Sequence, residues 1–246
     1  MRVVALGATR GMGRALSRLM AERGDSVFLL GRNQEDLAKA ARDLEIRSGS
    51  GRQIGFAPCD LEQPDGFANA LDQAAATLGG FDCVVLSAGV FAPQADLEED
   101  AGATRRVLEV NFVRAVEFCE EARRRLLLGG GGTLCVFSSV AGERGRKPVV
   151  LYGAAKAGLT RYLEGLDHRF RHQGLVTICI KPGFVKTGMT AGLTPPPFAG
   201  EPQAVARTVL RAIDRGKPVV YAPGAWRWIM LMIRNLPRAV MRRVGF

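Results

Sequence analysis

Cysteine and histidine are scarce in this 246-residue chain, five of one and two of the other. Cys59, Cys83, Cys119, Cys135 and Cys179 stand singly in apolar or strand-like surroundings. Their spacing suits neither a metal site nor a disulfide framework, so they read as reduced packing residues. His168 and His172 lie four apart on a predicted helix with no third ligand near, fewer than zinc usually takes, and no metal is expected. No long apolar run occurs either; the stretch from Trp228 to Ile233 falls far short of the ~20 residues a bilayer span needs. A signal peptide has no room, because Arg2-Val3-Val4-Ala5-Leu6 follows Met1 and leads straight into a glycine turn, so a cytoplasmic location is expected. Internal repeats and low-complexity segments are missing. The net charge of +10 suggests nucleic acid at first, but the arginines are dispersed and no basic stripe interleaved with aromatics exists. Nucleic acid is therefore not an expected partner.

What remains is the pattern of a single α/β domain over residues 1–246. Short apolar runs alternate with longer amphipathic stretches, as in a parallel sheet covered on both faces. The runs predict seven strands, at Val3 to Leu6, Ser26 to Leu30, Gln53 to Ala57, Cys83 to Ser87, Thr133 to Ser138, Val176 to Lys181 and Val219 to Tyr221. Helical patterns between them cover Gly13 to Arg23, Gln34 to Arg47, Pro64 to Leu78, Ala103 to Leu127, Tyr152 to His172 and Pro202 to Arg215. Right-handed crossovers then give a Rossmann-like, doubly wound sheet, whose ligands bind beyond the carboxyl ends of the strands.

The first strand–helix junction reads Gly7-Ala8-Thr9-Arg10-Gly11-Met12-Gly13. Glycines there let backbone approach a pyrophosphate at the positive end of a helix dipole. An NAD site would end the second strand with an acid for the ribose hydroxyls; this chain has Gly31-Arg32-Asn33. A guanidinium binds a 2′-phosphate bidentately, and at ~4 Å with an effective dielectric of ~20 each unit pair is worth about 4 kcal/mol before desolvation. Arg32, helped by Arg10, therefore predicts NADP(H).

Tyr152 and Lys156 lie one helical turn apart, with Ser139 thirteen residues upstream of the tyrosine. A free phenol titrates near ~10, and a neighbouring ammonium favours its anion. The serine can hold a carbonyl oxygen while the phenol protonates it. Ser138 is the adjacent alternative to Ser139.

Glycine turn, serine and Tyr-Lys pair, in this order, make the chain resemble the short-chain dehydrogenase/reductase family from the first strand to about residue 222. The resemblance implies a Ser-Tyr-Lys centre completed by Asn111, which would hold a proton-relaying water beside Lys156. It also implies that Tyr152 and Lys156 contact the cofactor, that Asp60 and Leu61 border the adenine, and that Ser87-Ala88-Gly89 lies against the dinucleotide. Pro182-Gly183-Phe184-Val185-Lys186-Thr187 looks like the family's loop after strand six, with Val185 and Thr187 gripping the carboxamide. Two departures stand out: Leu6 where threonine is common, and Ser87 where asparagine is usual. Asp60 has a second reading, as a turn former. A homodimer or tetramer is the family's habit.

The implied activity is reduction of a ketone or aldehyde carbonyl by NADPH. Residues 188–200, with Met189, Leu193, three prolines and Phe198, predict an apolar flap that favours an apolar or lipid-bearing small molecule. Residues 224–246 set tryptophans beside arginines, which suits either packing on the domain or peripheral contact with the inner membrane surface. A non-catalytic dinucleotide sensor on the same fold is the alternative; a sugar-nucleotide epimerase would need a larger C-terminal region.

Overall fold

A computed structural model describes residues 1–49 and 54–244. Seven strands form one all-parallel sheet: β1 (Arg2–Leu6), β2 (Ser26–Gly31), β3 (Gly55–Pro58), β4 (Cys83–Leu86), β5 (Gly132–Phe137), β6 (Leu175–Pro182) and β7 (Val219–Ala222). Their order is β3-β2-β1-β4-β5-β6-β7, so the winding reverses between β1 and β4. All seven expected strands are present; of the third, Gln53 lies outside the described residues.

Alternation along the strands divides the core. Val3, Ala5, Val27, Leu29, Val85 and Ile178 face α1 (Gly11–Glu22), α2 (Gln34–Ser48) and α8 (Pro202–Asp214). Val4, Leu6, Phe28, Leu30, Val84 and Val136 face α3 (Phe67–Leu78), α6 (Arg114–Leu128) and α7 (Val150–Phe170). Both faces being covered explains why the strands read as continuous apolar runs. The helices answer with i, i+3, i+4 stripes such as Phe67, Ala70, Leu71 and Ala74. All five cysteines are buried and unpaired, as packing residues should be.

Two departures from the expected helices matter. The stretch expected as one helix over Ala103 to Leu127 is α5 (Ala101–Leu108), a π-helical turn (Glu109–Val113) and then α6. Asn111 sits in that turn, and its Nδ2 donates to Val107 O at 2.9 Å and to Val90 O at 2.8 Å. A π-bulge is the kind of local widening that carries functional side chains. A short α4 (Gln94–Glu99) precedes it, and the tail folds as α9 (Trp226–Asn235) and α10 (Arg238–Arg243).

A buried carboxylate ties α9 to the domain. Glu143 accepts from Lys181, from the Tyr221 hydroxyl at 2.9 Å and from Arg234 at 3.2 Å. Burial pushes its carboxyl up, but these donors outweigh burial and hold it below the ordinary 4.5. The interaction therefore stabilises the fold above that value and is lost as pH falls from there through the lower folded value. Glu143→Gln is predicted to cost about 3–5 kcal/mol at neutral pH, because it strands a buried ammonium. Urea unfolding checks this; a loss within about 0.5 kcal/mol, the range of an ordinary surface substitution, contradicts it.

Candidate functional site

The carboxyl ends of β1, β2 and β4 open onto a groove of about 520 Å³ at the point where the strand order reverses. Gly7 enters the first turn with φ +92°, and a Cβ there would stand 2.6 Å from Ala88 N. At Gly13 a Cβ would stand 2.2 Å from Ser87 Oγ and 2.4 Å from Gly7 O. Only bare backbone fits this close approach. Ser87 is the other half of it, its hydroxyl lying 3.1 Å from Leu6 O and 3.2 Å from Gly7 O, its possible acceptors. Ser87 thus binds the turn through backbone carbonyls, while the Leu6 side chain packs into the core. The first turn of α1 has no side-chain cap and no acidic residue, so its N–H groups remain available to an anion. Uncapped helix, glycine cradle and groove suit a dinucleotide pyrophosphate.

Thr9, Arg10, Gly11 and Met12 line the groove beside Gly7 and Gly13, as do Arg32, Asp60, Leu61, Ser87, Ala88, Gly89 and Thr187. Thr187 meets the glycine turn directly, its Cγ2 lying 3.4 Å from a Cβ built on Gly11. Asp60 accepts from Glu62 N at 3.0 Å, which makes it a turn former as well as a groove residue. Pro182, Gly183 and Val185 lie outside the groove lining. Pro182 ends β6, Gly183 lies under the Trp226 ring, and Val185 is buried and bridges to Gly200.

Sequence reasoning missed Glu62 and Arg106 in the same lining. Arg106 holds Glu62 at 2.8 Å, and the Arg32 guanidinium stands 3.7 Å from the same carboxylate. The hydrogen bond from Arg106 keeps the Glu62 carboxyl below its ordinary value, against the smaller effect of burial. Arg10 pairs with Asp36 at 2.9 Å. Both cationic candidates are well exposed, Arg32 at 61% and Arg10 at 84%, so their partners hold them loosely.

The three reactive side chains lie outside that lining as well, next to it behind Gly89 and Phe91. Ser139 leaves the end of β5 in extended conformation, and its Oγ accepts from Ala141 N at 3.1 Å. Ser138 is committed elsewhere: its hydroxyl donates to Lys156 O at 2.9 Å and meets Thr160 Oγ1 at 2.7 Å, both on α7. Tyr152 packs edge-on against Phe91, a groove residue, with ring centroids 5.3 Å apart. Burial pushes its phenol up to about 12, opposed by a hydrogen bond with Ser139. Lys156 is 4% exposed and donates to Phe137 O at 3.0 Å. Burial brings its ammonium down to about 8, while its Nζ sits 5.8 Å from the centroid of the Tyr152 ring. Asn111 Oδ1 accepts from Val90 N at 3.2 Å, which fixes the strand of backbone joining Gly89 to Phe91. A Cβ built on Gly89 would lie 2.7 Å from Asn111 Oδ1 and 3.6 Å from Lys156 Nζ, so both polar groups border one small space.

Among the described residues no cluster of three or more His, Cys, Asp or Glu could hold a metal. No helix there is long and apolar enough to cross a membrane.

The family model for short chain dehydrogenase matches residues 2–197. An uncharacterised oxidoreductase of Mycobacterium tuberculosis is 33% identical over 242 residues, spanning 98% of this chain and 96% of its own length. Cis-4-hydroxycyclohexanecarboxylate dehydrogenase of Sinomonas cyclohexanicum is 32% identical over 77% of this chain and 75% of its own. Among solved structures, a short chain dehydrogenase from Mycobacterium paratuberculosis, bound to NAD, superposes with a TM-score of 0.80 at 25% identity, over 89% of this chain and 94% of that one. The chain belongs to the short-chain dehydrogenase/reductase family, and is an oxidoreductase that acts on alcohol or carbonyl groups with a nicotinamide dinucleotide.

Proposed function

We propose that the protein is an NADPH-dependent carbonyl reductase for an apolar or lipid-bearing ketone or aldehyde. The observation that carries this reading is a neutral Tyr152 phenol, joined to Ser139 and backed by the buried Lys156, packed against Phe91 of a groove that Arg32 and Arg10 line. When bound, the dinucleotide supplies the hydride that reaches the carbonyl carbon. Gly7, Gly11, Gly13 and the amides opening α1 would hold its pyrophosphate, Ser87, Ala88 and Gly89 would border it, and Asp60 and Leu61 would flank its adenine end. Thr187 would hold its carboxamide end.

Ser139 donates to the substrate's carbonyl oxygen and polarises it. Tyr152 delivers its O–H proton to that oxygen, for which a phenol raised to about 12 is in the required neutral form. The phenolate left behind is stabilised by the Lys156 ammonium, and the proton returns by way of Lys156. A water in the space bordered by Asn111 Oδ1 and Lys156 Nζ would carry that proton in from solvent. Asn111 is otherwise a positioning residue, its amide nitrogen spent on the carbonyls of Val107 and Val90. A non-catalytic sensor has no use for a lysine buried at the expense of its charge.

The acid-free end of β2 and the two arginines favour a 2′-phosphate. Glu62 supports a second reading, NAD(H), because its carboxylate reaches the same region and could accept from ribose hydroxyls. Exposed Met189, Leu193 and Phe198 support an apolar substrate.

Titration with both cofactors is predicted to show tighter NADPH binding, a further gain in Glu62→Gln, and a swing toward NADH in Arg32→Asp. Equal wild-type affinities would sink the argument from the arginines. On a verified substrate, Tyr152→Phe should lower turnover by roughly 10²–10⁴-fold, the usual worth of a general acid, with NADPH affinity nearly unchanged. Lys156→Ala should damage both. Retention of most turnover by Tyr152→Phe contradicts the mechanism.

A further inference from the structure

Helix α9 is apolar on two opposite faces. Its inner face sets Met230 and Ile233 against Val140, with Trp226, Ile229, Tyr221 and Met241 packed around them. Its outer face presents Trp228, Leu231 and Met232, spaced i, i+3, i+4 and therefore side by side. Trp228 is 64% exposed and Met232 73%. A surface helix normally turns a polar face outward; here three large apolar side chains stand outward beside Asn235, with Arg227 and Arg234 between the two faces. Among the described residues only the inner face has an apolar neighbour.

Charge says what the outer neighbour is. Residues 224–246 contain five arginines and no aspartate or glutamate. Arg227 lies over the Trp228 ring at 5.5 Å, and exposed Arg238, Arg242 and Arg243 follow on α10 beside exposed Val240. A second copy docked symmetrically by this face would bring these arginines against their own equivalents, like charge to like. An anionic phospholipid surface answers both features, since it offers apolar depth to tryptophan and methionine and negative headgroups to the arginines.

We infer that the outer face of α9, with the arginines of α10, is a docking surface for an anionic bilayer. Ten residues at ~1.5 Å rise make a helix of roughly 15 Å, which lies in the headgroup plane instead of crossing it. The flap joins this surface: Trp226 Nε1 donates to Phe198 O at 3.3 Å, and Phe198 is itself 56% exposed. Docking would set the segment over the site against the bilayer, where lipid-bearing molecules reside. The inference does not depend on the reductase reading, because lipid binding is measured without turnover.

The test is cosedimentation of the full chain with vesicles of phosphatidylglycerol or of phosphatidylcholine, alongside sedimentation equilibrium without lipid. The wild type should sediment with phosphatidylglycerol and not with phosphatidylcholine. It should be released as salt rises to about 1 M, where the Debye length is only ~3 Å. The triple variant W228S/L231S/M232S replaces exposed side chains and should lose binding while keeping NADPH affinity. R238Q/R242Q/R243Q, which leaves the apolar face intact, should weaken binding by roughly a hundredfold, as three headgroup-level charges imply. Negligible wild-type binding to phosphatidylglycerol overturns the inference, as does undiminished binding by both variants. A wild-type oligomer that falls apart in W228S/L231S/M232S also overturns it, by assigning the face to a second copy.

Discussion

A lysine ammonium held out of water decides the architecture of the site. Lys156 donates to Phe137 O, and burial brings its ammonium down to about 8, which leaves it mostly charged at neutral pH. The fold keeps such a group only by building around it. Ser138, just beyond β5, secures α7 through the Lys156 carbonyl, Asn111 widens its helix into a π-turn beside it, and Gly89 forgoes a side chain that would strike Asn111. Among the described residues no carboxylate pairs with it, so the charge stays available to whatever anion forms next to it. The nearest group able to become one is the Tyr152 phenol.

The phenol and the ammonium are displaced in ways that complement each other. Burial raises the first and lowers the second, so the protein by itself stores the neutral acid that carbonyl reduction requires. Lys156 therefore acts on the phenolate once the proton has left, more than on the resting phenol. The expectation from spacing, that a neighbouring ammonium simply depresses the tyrosine, describes only the later half of this exchange.

The strands were legible because each is an apolar run covered on both faces, and a run such as Val3 to Leu6 has no other stable place. The glycine turn and Ser-Tyr-Lys set were legible because their chemistry depends on short spacings. Glu62 and Arg106 were not, since they meet across 44 residues and each alone looks like an ordinary surface charge. The π-turn was hidden for a related reason: Asn111 breaks the helix by bonding to Val90, 21 residues away. The surroundings of Gly183 and Val185 were not legible, because Trp226 and Gly200 reach them from 43 and 15 residues further along the chain. Helix α9 escaped periodicity because it is apolar on both faces, and the inner one is defined only by what Val140 and Tyr221 bring to it.

Proton transfer at this site depends on Lys156 carrying a labile, buried charge beside a phenol. The most direct measurement of that charge is a pH titration of the lysine side-chain nitrogens by ¹⁵N NMR in the ligand-free protein, with the Lys156 signal assigned by its absence in Lys156→Arg. A midpoint near 8, well below the ordinary 10.5, is the predicted result. A midpoint at the ordinary value would mean that the ammonium is solvated, and that the site lacks the tuned pair on which the proposed proton transfer depends.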